Sequence, residues 1–498
     1  RERVISDPVY ADLFAAAFGD EEVSIPRIAM ALAAFQRAQT PRGGRWRRLA
    51  WASRSASPCS PCAHIHRTTM HDPDAMHSRI ARQMEIALAL LDDVVHAVES
   101  AMPADATLAR MFKQHHEFGS RDRRHYAHVV FTYFRWRGWI TQLAPDDRSM
   151  QVAWAIALDG SSQDDPLYTR WTERTGLNAV TLTRLGEQAL DGKRALITSA
   201  RPTVILRNLD LVPDWVPSVL PDENIAAPFI AACQSRPPTW VYIEPSRLRD
   251  FSAMLTAQQI RHRVHPVLPG AIALETPFQK QVLERAWGWT IQVQDIGSQA
   301  VAAICRAQPG ESWWDACCGA GGKTLQLARQ VGPTGAVLAT DVRESILNNL
   351  QLRASSFRFD TVTTTVLDSA SQLPEGRIFD GILVDAPCSG LGTWPRNPDA
   401  RWRLTREDVT ARAELQCRML YNVASRVKTG GMLVFSVCTV TCPESSAVVE
   451  DFLQHHPHFQ RDSFTDPLTG STCDGERFIS PSEGPGDGMF VARLRRMV

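Results

Sequence analysis

Neither sign of charge dominates this chain: 54 Lys and Arg stand against 54 Asp and Glu in 498 residues, a formal net charge of zero. No global positive field marks it as a nucleic-acid binder, so any RNA contact must come from local basic clusters. It lacks an apolar run of ~18 residues, the length a membrane-spanning helix needs. The apolar stretch after Met84 is interrupted by Asp92, Asp93 and Glu99. No secretory signal is recognised before the folded part, and no membrane partner is expected. Cysteine is sparse, at 11 residues. That excludes a disulfide scaffold and suggests a reducing, cytoplasmic setting, where a cysteine serves packing, ligation or nucleophilic attack. With 44% hydrophobic and 22% charged residues the chain reads as ordinary globular protein. As a prior its length suggests about three domains of ~150 residues, and a monomer is expected.

The chain opens on Arg1 and is read as a fragment or a translated open frame. Residues 4–40 look helical and resemble a short piece of a bacterial di-haem cytochrome c peroxidase. No haem-binding CxxCH accompanies them. Cys59-Ser-Pro-Cys62-Ala-His64 has one residue too many before the histidine, and haem attachment needs His directly after the second Cys. No second Cys/His pair follows at finger spacing, so zinc is unsupported and no metal is expected. Residues 41–76 are rich in Arg, Ser and Pro and lack an apolar period. Residues 1–76 are therefore expected to be a non-native or unstructured extension that activity does not need, with Met70 and Met76 as alternative starts.

From there the pattern changes. Met84, Leu88, Leu91, Val95 and Val98 recur at helical spacing. A second helix is expected around Leu108–Phe118, and a third with Tyr126, Val130 and Tyr133 on one side. Arg121, Arg123, Arg124, Arg135 and Arg137 lie among Tyr, Phe and Trp. Such a mixture suits RNA, because guanidinium pairs with phosphate and aromatic rings stack on bases; taken alone, the preferred reading is a helix bundle with solvated arginines. Residues 77–230 read as an all-α domain. Residues 236–280 read as a small α+β module: strand TWVYIEP, helix SRLRDFSAMLTAQQI with Ser246 as candidate N-cap, and strand AIALE.

Within residues 281–498, strands SWWDACC, AVLATD, TVTTTVLD, FDGILVDAPC and GGMLVFSVCTV alternate with helices such as 343–355 and 405–428. Alternation of this kind implies an α/β fold, a Rossmann-like doubly wound parallel sheet, whose ligands bind beyond the carboxyl ends of the strands. The motifs fall at those ends. Asp315-Ala-Cys317-Cys318-Gly319-Ala320-Gly321-Gly322-Lys323 puts glycines between a strand and a helix, where a ligand can approach the backbone. Alone it is equally a tight turn, and GxxxxGK[ST] is absent. Asp341 ends the second strand, placed for two ribose hydroxyls; Asp368 ends the third, placed for an adenine amino group. Either acid alone could be a helix cap. The loop and both acids at three successive strand ends form a nucleoside-cofactor constellation. Asp385-Ala-Pro387-Cys388-Ser389-Gly390 and Ser436-Val437-Cys438-Thr439 put two cysteines at the ends of adjacent strands.

At these residues the chain resembles the RNA (cytosine-5) methyltransferases of the bacterial Sun/Fmu (16S rRNA) and eukaryotic NOP/NSUN type. DACCGAGGKT looks like that family's cofactor loop, LVDAPCSGLGTWPRNPDARW its proline-cysteine motif, and LVFSVCTVTCPESSAVVEDF its second-cysteine motif. VQDIGSQAVAAI and GDGMFVARLRR also match. The likeness covers about residues 236–498, and residues 77–230 more faintly resemble the family's NusB-like RNA-binding domain. The resemblance implies S-adenosyl-L-methionine as cofactor, bound by Cys317 to Lys323, Asp341, Asp368 and Asp385. It implies RNA as partner, with rRNA favoured over tRNA.

It also implies Cys438 as the nucleophile at carbon 6 of cytosine, Asp385 as the group hydrogen-bonding the base, and Cys388 as the group that helps release the product. Four positions depart from the pattern: Ala320 for Pro, Val437 for Thr, Cys442 where Pro is expected with Pro443 one residue late, and Ser445 for Asn. None removes a reacting atom. Cys442 is a rival thiol; Cys438 is preferred because SVCT meets the strand end and Glu444 keeps its spacing. Three other readings compete: DNA cytosine methylation, where the Pro-Cys cysteine attacks; a non-catalytic RNA-binding assembly factor, against which both cysteines argue; and a haem peroxidase, which lacks its ligands.

Overall fold

Period-3.6 burial organises the first part of the chain. In the computed structural model, which describes residues 73–160, 165–275, 287, 291–481, 484 and 486–498, helix α1 (Pro73–Glu99) buries Met84, Leu91, Val95 and Val98. It starts a few residues before the expected boundary at 76. The readings of residues 1–72, including the CxxC, lie outside the described residues. Helices α2 (Ala104–Gln114), α3 (Ser120–Leu143), α4 (Arg148–Asp159), α5 (Pro166–Thr172), α6 (Ala179–Glu187), α7 (Leu190–Ala200) and α8 (Glu223–Ala232) complete an all-α layer.

The Arg-and-aromatic stretch on α3 is mostly core. Tyr126, Tyr133, Phe134, Trp136 and Trp139 are fully buried and present no ring for a base to stack on. Arg135 is buried, pairs with Asp159 at 3.1 Å and donates to the Pro395 carbonyl. Arg137 pairs with Glu99 and lies over Trp402. Arg121 and Arg124 stay exposed on this helix. The expectation of an aromatic RNA platform is thus corrected: aromatic rings at helical spacing were drawn inside by their apolar area.

The small module is a four-stranded antiparallel sheet in the order β2-β3-β1-β4, with β1 Thr239–Ile243, β2 His262–Val264, β3 Ala271–Leu274 and β4 Ile291–Val293. β4 lies beyond the expected end at 280, because its partner is β1 and not its neighbour in sequence. Helix α9 (Leu248–Ala257) covers one face with Phe251 and Leu255. Ser246 is not its N-cap: Pro245 opens a short 3-10 turn through Arg247, and that turn leads into the helix.

The main sheet runs β10-β12-β9-β8-β5-β6-β7, with β11 also paired to β12. Its parallel part is β5 (Ser312–Asp315), β6 (Ala336–Asp341), β7 (Val362–Val366), β8 (Phe379–Asp385) and β9 (Val427–Val437). Antiparallel β12 (Met489–Arg496) carries β10 (Phe459–Arg461) and β11 (Glu476–Ile479). Helices α10 (Ile296–Cys305), α11 (Gly322–Val331) and α12 (Glu344–Ser356) cover one face of the sheet, and α13 (Arg406–Ala424) and α14 (Ser446–His455) the other. Strand order reverses between β5 and β8, the switch point at which such sheets hold ligands.

The helical layer is not a separate body. Its core takes in Leu391, Trp394 and Val440 from the sheet domain. Arg401 is fully buried and donates to the carbonyls of Leu211 and Cys233, and Trp402 Nε1 donates to the Phe134 carbonyl. The segment after the Pro-Cys motif is therefore embedded in the helices.

Candidate active site

β5 stops at Asp315, earlier than SWWDACC suggested, because the next residues turn to start α11. Gly319 has φ +48°, and no atom lies within 4 Å of where a side chain would begin. That open backbone borders a cavity of about 380 Å³, within the usual range for small-ligand sites. Cys317, Gly319, Asp341 and Asp368 line it. Asp341 is buried, and its carboxylate accepts from the Gly319 N–H at 3.2 Å and from both arms of the Arg343 fork at 2.9 and 3.0 Å. Burial opposes its charge, but the Arg343 side chain and the Arg343 and Gly319 N–H groups hold it below the usual carboxylate range. Asp368 is exposed and caps its own turn, accepting from the Ala370 N–H and the Ser371 hydroxyl.

The remaining loop residues stand elsewhere. Cys318 faces the core behind the sheet. Ala320 offers its carbonyl to Arg353, Gly321 leaves room for Leu350, and Gly322 gives its carbonyl to Gln292 of the small module. Sequence reasoning missed the opposite wall of the cavity, formed by Pro387 and by Arg412, Leu415 and Met419 of α13. Their spacing of three and four residues puts them on one helix face. That spacing was the available signal, and it is shared by every amphipathic helix.

Beside this cavity the parallel pairing of β8 with β9 sets Asp385 opposite Ser436. Just past these strand ends the sulfurs of Cys388 and Cys438 lie 3.3 Å apart. Lys323 donates to Asp385 Oδ2 at 2.7 Å, and the Ser436 hydroxyl donates to Oδ1 at 2.7 Å. Lys323 is buried, which disfavours its charge. Asp385, Cys438 and Asp315 outweigh that and raise it above its ordinary value, so it is a fixed cation facing both Asp385 and Cys438. The Cys388 thiol is pushed well up by its hydrogen bond with Cys438, by burial, and by the charges of Cys438 and Glu444. Cys388 therefore keeps its proton, and the two sulfurs share a hydrogen bond.

Other nearby thiols are also held protonated. Burial, then Asp315, Asp385 and Asp341, raise Cys317; burial, then Asp315 and Asp341, raise Cys318. Cys442, the rival thiol, is raised by burial and by Asp222, and its N–H is bonded to the Val219 carbonyl.

Glu444 does more than its spacing suggested. It is fully buried and accepts from the Ser389 N–H at 2.7 Å, the Ser389 hydroxyl, Thr441 Oγ1 at 2.9 Å and Gln416 Nε2 at 3.3 Å. It thereby ties the Pro-Cys loop to the second-cysteine loop, a convergence visible only once β8 and β9 are paired. Among the described residues no group of three or more His, Cys, Asp and Glu could hold a metal, and no helix is long and apolar enough to cross a membrane.

Residues 302–495 match the family model for 16S rRNA methyltransferase RsmB/F. The chain is 36% identical over 217 residues to a probable ribosomal RNA small subunit methyltransferase B of Synechocystis sp., covering 42% of this chain and 48% of that one. It is 32% identical over 277 residues to ribosomal RNA small subunit methyltransferase B of Salmonella arizonae, covering 53% and 61%. The matched part thus spans about half to three-fifths of these curated relatives. Among solved structures, that of PH0851 superposes with a TM-score of 0.61 at 20% identity, over 82% of this chain and 98% of that one. NSun6 from Pyrococcus horikoshii with SFG gives 0.50 at 15% identity, over 56% and 96%. At these identities the structures support the fold.

Proposed function

We propose that this chain, whose residues 302–495 are a methyltransferase domain of the RsmB/F family, methylates carbon 5 of cytosine in RNA through a covalent adduct on Cys438. The observation that carries the reading is the pair of sulfurs at 3.3 Å, close to the Lys323–Asp385 ion pair, with Pro387, the residue before Cys388, in the cavity wall. The relatives' names favour ribosomal RNA as substrate.

S-adenosylmethionine is the expected cofactor, and the cavity fits a nucleoside: Gly319 leaves its backbone open, and Asp341 offers a carboxylate to the ribose hydroxyls. When bound, the cofactor supplies a methyl group on a positively charged sulfur, toward which an electron-rich carbon 5 is nucleophilic.

The chain's own residues make carbon 5 electron-rich. The Cys438 thiolate, facing the Lys323 ammonium, adds to carbon 6 and leaves an enamine-like carbon 5. Asp385 accepts from the exocyclic amine and holds the base as charge redistributes. Lys323 and Ser436 fix that carboxylate in place. Before the adduct forms, Cys388 keeps its proton because the Cys438 sulfur beside it is electron-rich. Once Cys438 is bonded to carbon 6, that sulfur is neutral and its share of the upward push on Cys388 is gone, while burial and Glu444 remain. With its own proton passed to solvent, Cys388 takes the proton on carbon 5, the freed electron pair re-forms the double bond between carbons 5 and 6, and Cys438 leaves as thiolate. The loss of the neighbour's charge thus favours the change of role.

Transfer of radiolabelled methyl from S-adenosylmethionine to ribosomal RNA, transfer RNA and DNA tests the reading. Label in 5-methylcytosine of RNA is expected. Label in DNA alone, or in no nucleic acid, contradicts it.

A further inference from the structure

Cys438 sits in a loop whose backbone is held by a relay that ends in one arginine. Its carbonyl accepts from the Gly392 N–H at 3.0 Å, and the Gly392 carbonyl accepts from the Gly488 N–H at 2.8 Å. The two glycines meet so closely that a Cβ at Gly392 would come within 1.8 Å of the Gly488 oxygen and 2.9 Å of the Cys438 oxygen. Gly488 follows Asp487. Arg396 Nε donates to Asp487 Oδ1 at 2.9 Å, and Arg396 Nη2 donates to Asp295 Oδ2 at 2.7 Å and to the Pro238 carbonyl at 3.1 Å. Asp295 in turn caps α10 through the Gly297 N–H and accepts from the Asp487 N–H at 3.0 Å.

Arg396 is half-buried and makes none of its bonds to the reacting groups. Its planar fork fits two carboxylates at once, which a lysine's single ammonium cannot do. It also leads directly into the segment that the helical layer encloses, since the carbonyl of Pro395 accepts from Arg135.

We infer that Arg396 is a positioning residue for the nucleophile: by clamping Asp487 to Asp295 it fixes Gly488 and Gly392, and through them the backbone of Cys438. The inference rests on Cys438 being the nucleophile. A sulfur must meet carbon 6 within a narrow range of distance and angle, and displacement by about 1 Å is enough to cost on the order of a hundredfold in rate. The cofactor cavity shares no lining residue with the clamp, so its affinity is insulated from it.

The test uses the full chain and RNA transcribed with 5-fluorocytidine, whose carbon 5 has no proton to release and which therefore traps the adduct. Adduct formation is timed at saturating RNA, alongside cofactor Kd and thermal unfolding. Arg396→Ala and Asp487→Asn are expected to slow adduct formation at least about tenfold with cofactor Kd within about twofold of wild type. Arg396→Lys should recover part of the rate, and the double variant should be no slower than the slower single one. An unchanged rate in Arg396→Ala overturns the inference. So does a parallel fall of rate, cofactor affinity and unfolding temperature that Lys does not relieve, the mark of a merely structural role. If wild type itself forms no adduct, the functional reading falls and takes the inference with it.

Discussion

Arg343 forks onto Asp341 with both arms, at 2.9 and 3.0 Å, at the lip of the cavity where a ribose would sit. The carboxylate is thus held ionised, and the exposed Arg343 side chain must yield part of that fork for ribose hydroxyls to take its place. Asp341→Asn should weaken S-adenosylmethionine binding roughly ten- to a hundredfold, the loss of charged hydrogen bonds worth ~1.5–3 kcal/mol. Asp368→Ala should do less, since that carboxylate is exposed and spends its oxygens on its own turn. Calorimetry in which Asp341→Asn binds the cofactor like wild type contradicts the assignment.

Asp315 gives a pH signature. Burial, with Asp385 adding, raises its carboxyl to about 7 against the opposing effects of Thr324 and Lys323. The unfolded chain releases that proton near ~4. Between these values the folded state binds more protons than the unfolded one, so this group's contribution to stability falls as pH rises from ~4 to ~7 and stays low above. Asp315→Asn removes the dependence and can still accept from the Thr324 hydroxyl, now at 2.6 Å. Its stability relative to wild type should therefore improve from pH 5 to pH 8. Urea unfolding that gives the same difference at both pH values would count against the shift.

Much of this site was legible in the chain itself. Gly319, Asp341 and the two cysteines follow strand-like runs, and strand ends in an alternating α/β pattern converge by topology. What stayed hidden depends on contacts distant in sequence. Arg135 looked solvated because Asp159 and Pro395, which bury it, lie 24 and 260 residues away. β4 falls beyond the expected boundary because its partner β1 lies far earlier in the chain. The contacts of Glu444 and Arg396 arise only once the loops they join are brought together.

The central claim is the division of labour between two cysteines whose sulfurs touch at 3.3 Å. Its most direct measurement is denaturing gel electrophoresis of each variant after incubation with RNA and cofactor. Cys438→Ala should give no adduct and no methylation, having no thiolate for carbon 6. Cys388→Ala should attack and methylate but release slowly, leaving a protein–RNA band that survives denaturation, while Cys442→Ala should match wild type. An adduct in Cys438→Ala with none in Cys388→Ala would contradict the account and make Cys388 the nucleophile.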